Sequence, residues 1–476
     1  MEIVSYLPTA KKVALVNKRF YAISCAAHVS KFTLSIDCGL IAPENLVSIV
    51  KTRRKISNIH INFTHLTLFD LGTMRRILKI FQNSVRYVQV SGQVNSVILL
   101  GALALLPNVQ HLTFVDTDCM TSFPTSTSRR RTSLGLKVKT IEFVRCNNEV
   151  IRIMLQLAPG VLTDLTVVHS FNLHMLLKLH LFKNQQNIKN LTIIDAHAEM
   201  LHMQEDESHL IDDILGTLSL ETFEFKSRMN ANNIAEILSK QEKLKCLRWT
   251  TVFHEDLMPA IKHLANLETL TLNVAVTPVE AIANINKLKN LNHLVLHNFS
   301  REYFDAFSKL DNSQITILEI KPYGSYIESQ LNVELIYELA MSVRNLKTLK
   351  LSALMDWKHV AAILRNFSFV EELYLLSDMD VSYDTKYSLQ NISFNSKLTL
   401  LSIGFGLDPH FLSKIIADYP NLKTFETRTG SAGLHSILKG FKKLEHFNML
   451  SSTELKIDDI ASMRKKSKNL QFVLLQ

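Results

Sequence analysis

Apolar residues recur along this chain in a short pattern, apolar-x-x-apolar-x-apolar. Clear copies of the pattern begin at Leu267, Leu291, Leu346 and Val370. Looser copies begin at Val29, Ile56, Val85, Val109, Val138, Leu162, Ile188, Leu220, Leu244, Ile315, Leu398, Leu422, Leu444 and Leu470. The mean spacing between successive starts is about 26 residues, so the chain is predicted to be a repeat array.

Two spacings inside each copy predict its local structure. The second and third apolar positions lie two residues apart, which places both side chains on one face of a short strand. Between copies, apolar residues recur three and four apart, as in residues 232–238, 333–339 and 359–364, which predicts helices. Such a strand and helix can bury their apolar faces only against neighbouring copies, so an α/β solenoid is predicted.

The repeat resembles the leucine-rich-repeat family over residues 29–476, as about 18 irregular units. The resemblance implies an arc or horseshoe with parallel strands on the concave face and helices on the convex face. The family usually has Asn or Cys three places after the third apolar position. Here Cys146 matches, whereas Thr117, Ser170 and Ala196 do not. We therefore expect the side-chain ladder at the turns to be mostly missing and the arc to be irregular.

Residues 1–28 do not follow the repeat. The stretches Ile3-x-x-Tyr6-Leu7-Pro8 and Leu15-Val16-Asn17-Lys18-Arg19-Phe20 resemble the later part of the F-box. The family's opening Leu-Pro-x-Glu turn and most of its first helix have no match, and Asn17 stands where the family usually has Cys. We interpret residues 1–28 as a partial, helical F-box-like segment.

An F-box followed by leucine-rich repeats is the arrangement of substrate receptors in Skp–cullin–F-box ubiquitin ligases. The resemblance implies contact with a Skp-type adaptor, and through it with the cullin ligase core, at the positions that match the motif. These are Ile3, Leu7, Pro8, Leu15, Val16, Lys18, Arg19 and Phe20. The alternative is a helical cap that covers the first repeat and has no adaptor-binding role.

The strand residues beside the apolar positions are predicted to project from the concave face, where a protein substrate would bind. Tyrosine is enriched at interface hot spots, so Tyr374 is a possible anchor, whereas Trp249 occupies a third apolar position and is predicted to be core. The candidate substrate-binding residues are Glu224, Arg248, Thr271, His293, Val295, His297, Glu319, Lys350, Tyr374 and Glu426. His293 and His297 lie four apart on one strand, but no third metal ligand is apparent from the spacing.

Charge and composition narrow the classes of partner that we expect. The net charge is +9, yet the predicted concave stripe is slightly acidic, so we do not expect nucleic acid to bind there. No apolar run is long enough for a membrane helix. The five cysteines form no C-x-x-C pair, which favours reduced thiols and a location in the cytoplasm, the nucleus or both.

The sequence contains no motif that indicates catalysis. No P-loop, H-E-x-x-H or G-x-S-x-G occurs, so we expect no catalysis, cofactor or metal. A polar insertion at residues 118–134 carries Arg129, Arg130 and Arg131 just before Thr132 and Ser133, a pattern that suits a basophilic kinase. Thr132 and Ser133 are therefore possible phosphorylation sites.

These observations lead to a prediction and an alternative. The prediction is a non-enzymatic substrate receptor of a ubiquitin ligase, which holds its adaptor at residues 1–28 and its substrate on the repeats. The alternative is a non-ligase interaction scaffold in which a degenerate F-box only caps the array.

Overall fold

The computed structural model describes the repeat strands and several of the helices between them. The described residues are 33–37, 56–63, 68–119, 137–158, 160–169, 185–194, 216–226, 238–250, 261–273, 279–299, 306–307, 314–322, 333–352, 357–376, 397–406, 409–428, 437, 440–441, 443–450 and 471–475. The chain divides into an N-terminal unit, Met1–Lys243, and a C-terminal unit, Leu244–Gln476.

The described part of the N-terminal unit is a parallel sheet with helices between its strands. The strands are β1 (Thr33–Asp37), β2 (Asn58–Asn62), β3 (Tyr87–Val94), β4 (His111–Cys119), β5 (Thr140–Val144), β6 (Asp164–Val168), β7 (Asn190–Ile194) and β8 (Thr222–Lys226). The helices are α1 (Leu68–Phe81), α2 (Ser96–Leu103) and α3 (Asn148–Leu157). Each strand pairs in parallel with the next one along the chain.

The C-terminal unit repeats this plan. Its described strands are β9 (Cys246–Trp249), β10 (Thr269–Asn273), β11 (His293–Phe299), β12 (Ile317–Pro322), β13 (Thr348–Ser352), β14 (Glu372–Leu376), β15 (Leu400–Gly406), β16 (Thr424–Arg428), β17 (His446–Leu450) and β18 (Gln471–Leu475). A 3-10 helix spans Val279–Lys287, and the α-helices are α4 (Val333–Ser342), α5 (Trp357–Asn366) and α6 (Pro409–Asp418). These strands also pair in parallel, each with its successor.

The strands follow the predicted repeat starts closely. From β2 to β17, each strand begins two residues after its predicted start. The prediction was wrong at both ends of the array. Leu34 aligns with Ile59, two residues later than the start at Val29 implies, and Phe472 aligns with Phe447, one residue earlier than the start at Leu470 implies. A shift of one residue exchanges the two faces of a strand, so the predicted register of β18 was wrong.

The second and third apolar positions of each repeat form the core. In β4 and β5 they are Leu112, Phe114, Ile141 and Phe143, all at most 1% exposed, and the rings of Phe114 and Phe143 stack with centroids 5.3 Å apart. Trp249 is fully buried, as predicted. Because each repeat buries these side chains against its neighbours, the described strands have the leucine-rich-repeat fold predicted from the sequence.

The ladder at the turns is less depleted than the sequence predicts. The Thr117 hydroxyl lies 3.1 Å from the carbonyl oxygens of Val90 and Val115, either of which accepts its proton. One repeat later, the Cys146 Sγ lies 3.4 Å from the Phe114 carbonyl oxygen and burial raises the thiol pKa to about 11. The buried Thr117 hydroxyl therefore makes the hydrogen bond to the backbone that Asn or Cys makes in the family. The expectation that the ladder is missing was wrong at this position.

Two glutamines that the pattern does not mark bridge neighbouring repeats. Gln241 donates through Nε2 to the Leu218 carbonyl at 3.1 Å and accepts through Oε1 from the Leu220 amide at 3.0 Å. Gln185 donates through Nε2 to the Leu155 carbonyl at 2.6 Å. Both glutamines are buried, so each satisfies backbone groups that water cannot reach.

The helices begin where their caps lie. Asn147 accepts a hydrogen bond from the Val150 amide at the start of α3, and Asn95 accepts one from the Val97 amide at the start of α2. The helices predicted at 333–339 and 359–364 are confirmed as α4 and α5, whereas 232–237 lie outside the described residues. Within the described residues, no helix is long and apolar enough to cross a membrane.

Candidate binding surface on the strand face

The strand residue between the second and third apolar positions forms a column in each unit, because successive strands pair in register. In the C-terminal unit this middle column is Arg248, Thr271, Val295, Glu319, Lys350, Tyr374, Ser402, Glu426 and Asn448. In the N-terminal unit it is Ser35, His60, Gln89, Thr113, Glu142, Thr166, Thr192 and Glu224. The structure thus brings together the predicted residues within each unit.

A cationic and aromatic pair lies at the centre of the C-terminal column. The Lys350 Nζ is 5.1 Å from the centroid of the Tyr374 ring, a distance at which the ammonium is attracted to the face of the ring. Burial raises the pKa of Tyr374, and the nearby carboxylates of Glu372 and Glu426 raise it further. The phenol therefore stays protonated and can donate a hydrogen bond to a partner.

Leu376 adds an exposed apolar side chain to this pair. It lies two residues after Tyr374, so both side chains project from the same face of β14, and it is 41% exposed. We name Lys350, Tyr374 and Leu376 the anchor cluster. The sequence pattern missed Leu376 because a leucine just after a third apolar position reads as one more core residue; the strand's alternation was the signal that could have found it.

Glu319 lies beside the anchor cluster and stays ionised. Its Oε1 is 2.8 Å from the Lys321 Nζ. Burial acts to raise the pKa of Glu319, but the hydrogen bond and charge of Lys321, together with Lys350 and His297, lower it below the ordinary value. The carboxylate is therefore a fixed negative charge among three basic side chains.

His293 is a partly buried histidine of this surface, and its pKa is lowered. Burial lowers its pKa, Glu319 acts in the opposite direction, and the charges of Lys350 and Arg248 lower it further. Its Nε2 is buried without a hydrogen-bond partner, while His297 lies on the same face of β11. Across the described ranges, no group of three His, Cys, Asp or Glu side chains is arranged to hold a metal.

Two predicted contact residues offer little surface. Thr271 and Val295 are 6% and 7% exposed, because these short side chains lie in the column between the longer Arg248 and Glu319. They offer less surface than the sequence predicts, and their assignment as substrate-contacting residues stays a prediction. The remaining candidates, Glu224, Arg248, His293, His297, Glu319, Lys350, Tyr374 and Glu426, are partly or fully exposed.

The N-terminal unit carries a different pattern on the same kind of face. Its middle column is polar and largely neutral, with the Thr113 hydroxyl donating to the Glu142 carboxylate at 3.3 Å and a hydrogen bond of 3.0 Å between His60 Nε2 and Ser91 Oγ. Glu224 lies at the end of this column, on β8. Three members of this middle column, His60, Thr113 and Glu142, are engaged in these two hydrogen bonds.

An apolar column runs beside the middle column of the N-terminal unit and was not predicted from the sequence. Val115, Val144, Val168 and Ile194 pair in register across β4 to β7 and are partly exposed. At about 4.8 Å between strands, four residues span about 14 Å. The recurring β-branched residue just after the third apolar position was the available signal.

The edge beyond this apolar column has unusual backbone. Asp116, Arg145 and His169 follow Val115, Val144 and Val168 and have φ values of 48°, 53° and 51°. Arg145 holds Asp116 through Nε to Oδ1 at 2.5 Å and Nη2 to Oδ2 at 2.7 Å, and this hydrogen bond lowers the pKa of Asp116. Since both side chains are exposed, the ion pair contributes little to the free energy of unfolding.

The predicted adaptor-binding residues, Ile3 to Phe20, lie outside the described residues, and so do Thr132 and Ser133. The boundary predicted at residue 28 also falls outside them. The ubiquitin-ligase and phosphorylation hypotheses therefore stay predictions.

Comparisons with known proteins add the following findings. No family model matches this chain, and no curated protein matches it significantly. Among solved structures, TLR13 in its complex with ssRNA13 is similar at 10% identity and a TM-score of 0.34, over 93% of this chain and 61% of that one. An internalin, InlF of Listeria monocytogenes, is similar at 14% identity and a TM-score of 0.32, over 85% and 93%. This chain spans 61% of the TLR13 chain, and at these TM-scores no function is carried over.

Proposed function

We propose that this chain is a non-enzymatic receptor that binds a protein partner on the strand face of its C-terminal unit. The anchor cluster is the observation that supports the proposal. Tyrosine is enriched at interface hot spots. Here the partly exposed Tyr374 and the exposed Leu376 project from one strand, with Lys350 over the tyrosine ring.

The surrounding charges support selectivity for a partner of mixed charge. Glu319, with its lowered pKa, lies among Lys321, Lys350 and His297, while Glu426 lies beyond Tyr374. Alternating signs around a central anchor set the orientation and identity of a partner more than its affinity. A partner with an apolar tip surrounded by both acidic and basic residues fits this surface.

Proximity labelling by a biotin ligase fused to the full chain tests this proposal. Proteins that the wild type labels are purified, and their affinities are compared for the wild type, for Tyr374→Ala with Leu376→Ser, and for Thr192→Ala as a control on the N-terminal unit. We expect the double variant to lose at least about 2 kcal/mol of binding free energy with one partner. Equal affinity of all three proteins for every partner would refute the proposal.

We further propose that residues 1–28 connect this receptor to a ubiquitin ligase through a Skp-type adaptor. The support is the resemblance of Tyr6-Leu7-Pro8 and Lys18-Arg19-Phe20 to the F-box, followed at once by leucine-rich repeats. In this arrangement the receptor needs no active site, because holding a substrate near a charged conjugating enzyme raises its effective concentration. The non-ligase scaffold with a capping segment remains the second candidate.

A purified pull-down with a Skp-type adaptor separates these two candidates. The full-length chain should retain the adaptor, and Leu15→Asp and Phe20→Asp should abolish retention without changing the circular dichroism spectrum. Failure of the wild-type chain to retain the adaptor would leave the scaffold and end the ligase proposal.

A further inference from the structure

Helix α4 exposes a stripe of apolar side chains. Val333, Tyr337 and Met341 are 40%, 54% and 46% exposed and lie four residues apart, so they follow one face of the helix. Among the residues that the structure describes, seven large hydrophobic side chains are exposed, and three of them are on this helix. Exposed apolar residues scattered singly need no explanation, but a contiguous stripe marks an interaction site.

The exposed stripe lies on a different side of α4 from the side that packs against the rest of the chain. Ile336, Leu339 and Ala340 form that buried face, at 1%, 1% and 4% exposed. A surface helix that packs on one side usually carries polar residues over the rest of its circumference. The apolar arc of α4 is therefore wider than its packing within the chain requires.

A groove runs between this stripe and the neighbouring helix α5. Val333 and Tyr337 line it from α4, and Ala362 and Asn366 line it from α5, around a volume of about 450 Å³. That volume lies within the range of sites that accept several side-chain-sized groups. The groove can therefore take anchor residues from a partner.

Charges of opposite sign border the groove. Glu334 and Glu338 line it from α4, and Arg365 lines it from α5. Of the charged side chains that line the groove, the two carboxylates lie together on α4 and the guanidinium lies on α5. A partner is attracted most strongly when it carries basic residues toward α4.

We propose that this α4–α5 groove binds an amphipathic helix of a partner protein, with apolar anchors toward Val333 and Tyr337 and a basic flank toward Glu334 and Glu338. Helices that dock in grooves present anchors at i, i+3 or i+4, and i+7, and the α4 stripe, at i, i+4 and i+8, runs along its helix at nearly the same spacing. This surface is separate from the strand-face anchor cluster and extends the proposed function to a second binding site.

The test uses the full-length chain and a fluorescent helical peptide of about 18 residues, long enough to form a helix. Its apolar face carries Leu at i, i+4, i+7 and i+11, and Lys lines one flank. Fluorescence anisotropy gives the affinity for the wild type, Tyr337→Glu and Val97→Glu. Val97 is 69% exposed on α2 and is the matched control.

We expect Tyr337→Glu to weaken binding at least about tenfold and Val97→Glu to change it less than about twofold. Tyr337→Ala gives a milder variant, and thermal unfolding of each variant confirms that it is folded. Equal loss in Val97→Glu, or no loss in folded Tyr337 variants, would overturn the proposal.

A charge exchange tests the orientation. A peptide with Glu in place of Lys should bind the wild type more weakly, and Glu334→Lys with Glu338→Lys should reverse that preference. The groove could instead bind a second copy of this chain, and sedimentation velocity of the chain alone tests for that. Self-association that Tyr337→Glu abolishes would assign the groove to a second copy and overturn the binding of a partner helix.

Discussion

The two units carry different chemistry on the same kind of strand face. In the N-terminal unit, Val115, Val144, Val168 and Ile194 form an apolar column beside a polar middle column, in which Thr113 donates to Glu142. In the C-terminal unit the corresponding region holds His297 and Lys321, and the middle column beside it carries Glu319, Lys350 and Tyr374. The difference shows that the outward residues of a repeat vary independently of its buried ones.

The physical reason is the alternation of the strand. Successive side chains point to opposite faces, so a change at an outward position leaves the core contacts of the repeat untouched. The cores of the two units are correspondingly alike: Phe114 and Phe143 stack at 5.3 Å, and Phe425 and Phe447 stack at 6.2 Å. One framework therefore supports two chemically different strand faces.

The largest expected effect tests whether the two cores are equivalent. Phe143→Ala and Phe425→Ala should each lower the free energy of unfolding by about 3–5 kcal/mol, because each removes a fully buried ring and leaves a cavity. Urea denaturation monitored by circular dichroism measures the cost, and hydrogen exchange locates it in the strands that flank each site. A cost in one unit below half of that in the other would contradict an equivalent framework.

A smaller effect tests the buried bridge of the N-terminal unit. Gln241→Met keeps the volume but removes the hydrogen bonds to Leu218 and Leu220, so the free energy of unfolding should fall by about 1–3 kcal/mol. The exposed neighbour Glu242 supplies the control, since Glu242→Ala should cost less than about 0.5 kcal/mol. If Gln241→Met proved as mild as the control, the bridge would not be a structural element.

The histidine of the C-terminal face should make stability depend on pH. The pKa of His293 is lowered in the folded chain, so between the folded pKa and the unfolded value of 6.5 the unfolded chain binds more protons. Stability is therefore fully present above pH 6.5 and is lost as the pH falls through the folded pKa. The His293→Gln variant should show a flatter decline from pH 7 to pH 5 in thermal unfolding.

His60 is the control for that experiment, because it is a histidine on the strand face of the other unit. A decline that His60→Gln flattens as much as His293→Gln does would remove the contrast between the two faces.

The smallest expected effect concerns the apolar column of the N-terminal unit. Val168→Thr keeps the β-branched shape but adds a hydroxyl, and on a surface it should change the free energy of unfolding by less than about 0.5 kcal/mol. Val167, which is 2% exposed on the same strand, supplies the contrast, because Val167→Thr buries that hydroxyl. Equal costs at the two positions, measured by urea denaturation, would show that the apolar column belongs to the core.

Much of this could be predicted from the sequence. The repeat spacing placed β2 to β17 correctly, and α4 and α5 appeared where apolar residues recur at helical spacing. The predicted registers of β1 and β18 were wrong because the apolar pattern of those two segments differs from the register in which they pair with β2 and β17. Thr117 was missed because its hydroxyl satisfies backbone groups that the family consensus assigns to Asn or Cys.

The candidate site was predictable as a set of positions and not as a surface. The register of the strands follows from the repeat, so Glu319, Lys350 and Tyr374 could be placed in one column. Which members are exposed depends on the size of neighbouring side chains from other repeats, and for this reason Thr271 and Val295 are buried while Leu376 is exposed.

The sequence by itself determined the repeat, the strand faces and the residues that form each column, because these depend on spacings of two to four residues within one repeat. The tertiary structure alone decided the ion pair of Asp116 with Arg145, the position of Lys350 over Tyr374 and the groove between α4 and α5. Each of these joins side chains some 24 to 29 residues apart in the sequence, and only the stacking of one repeat on the next brings such residues into contact.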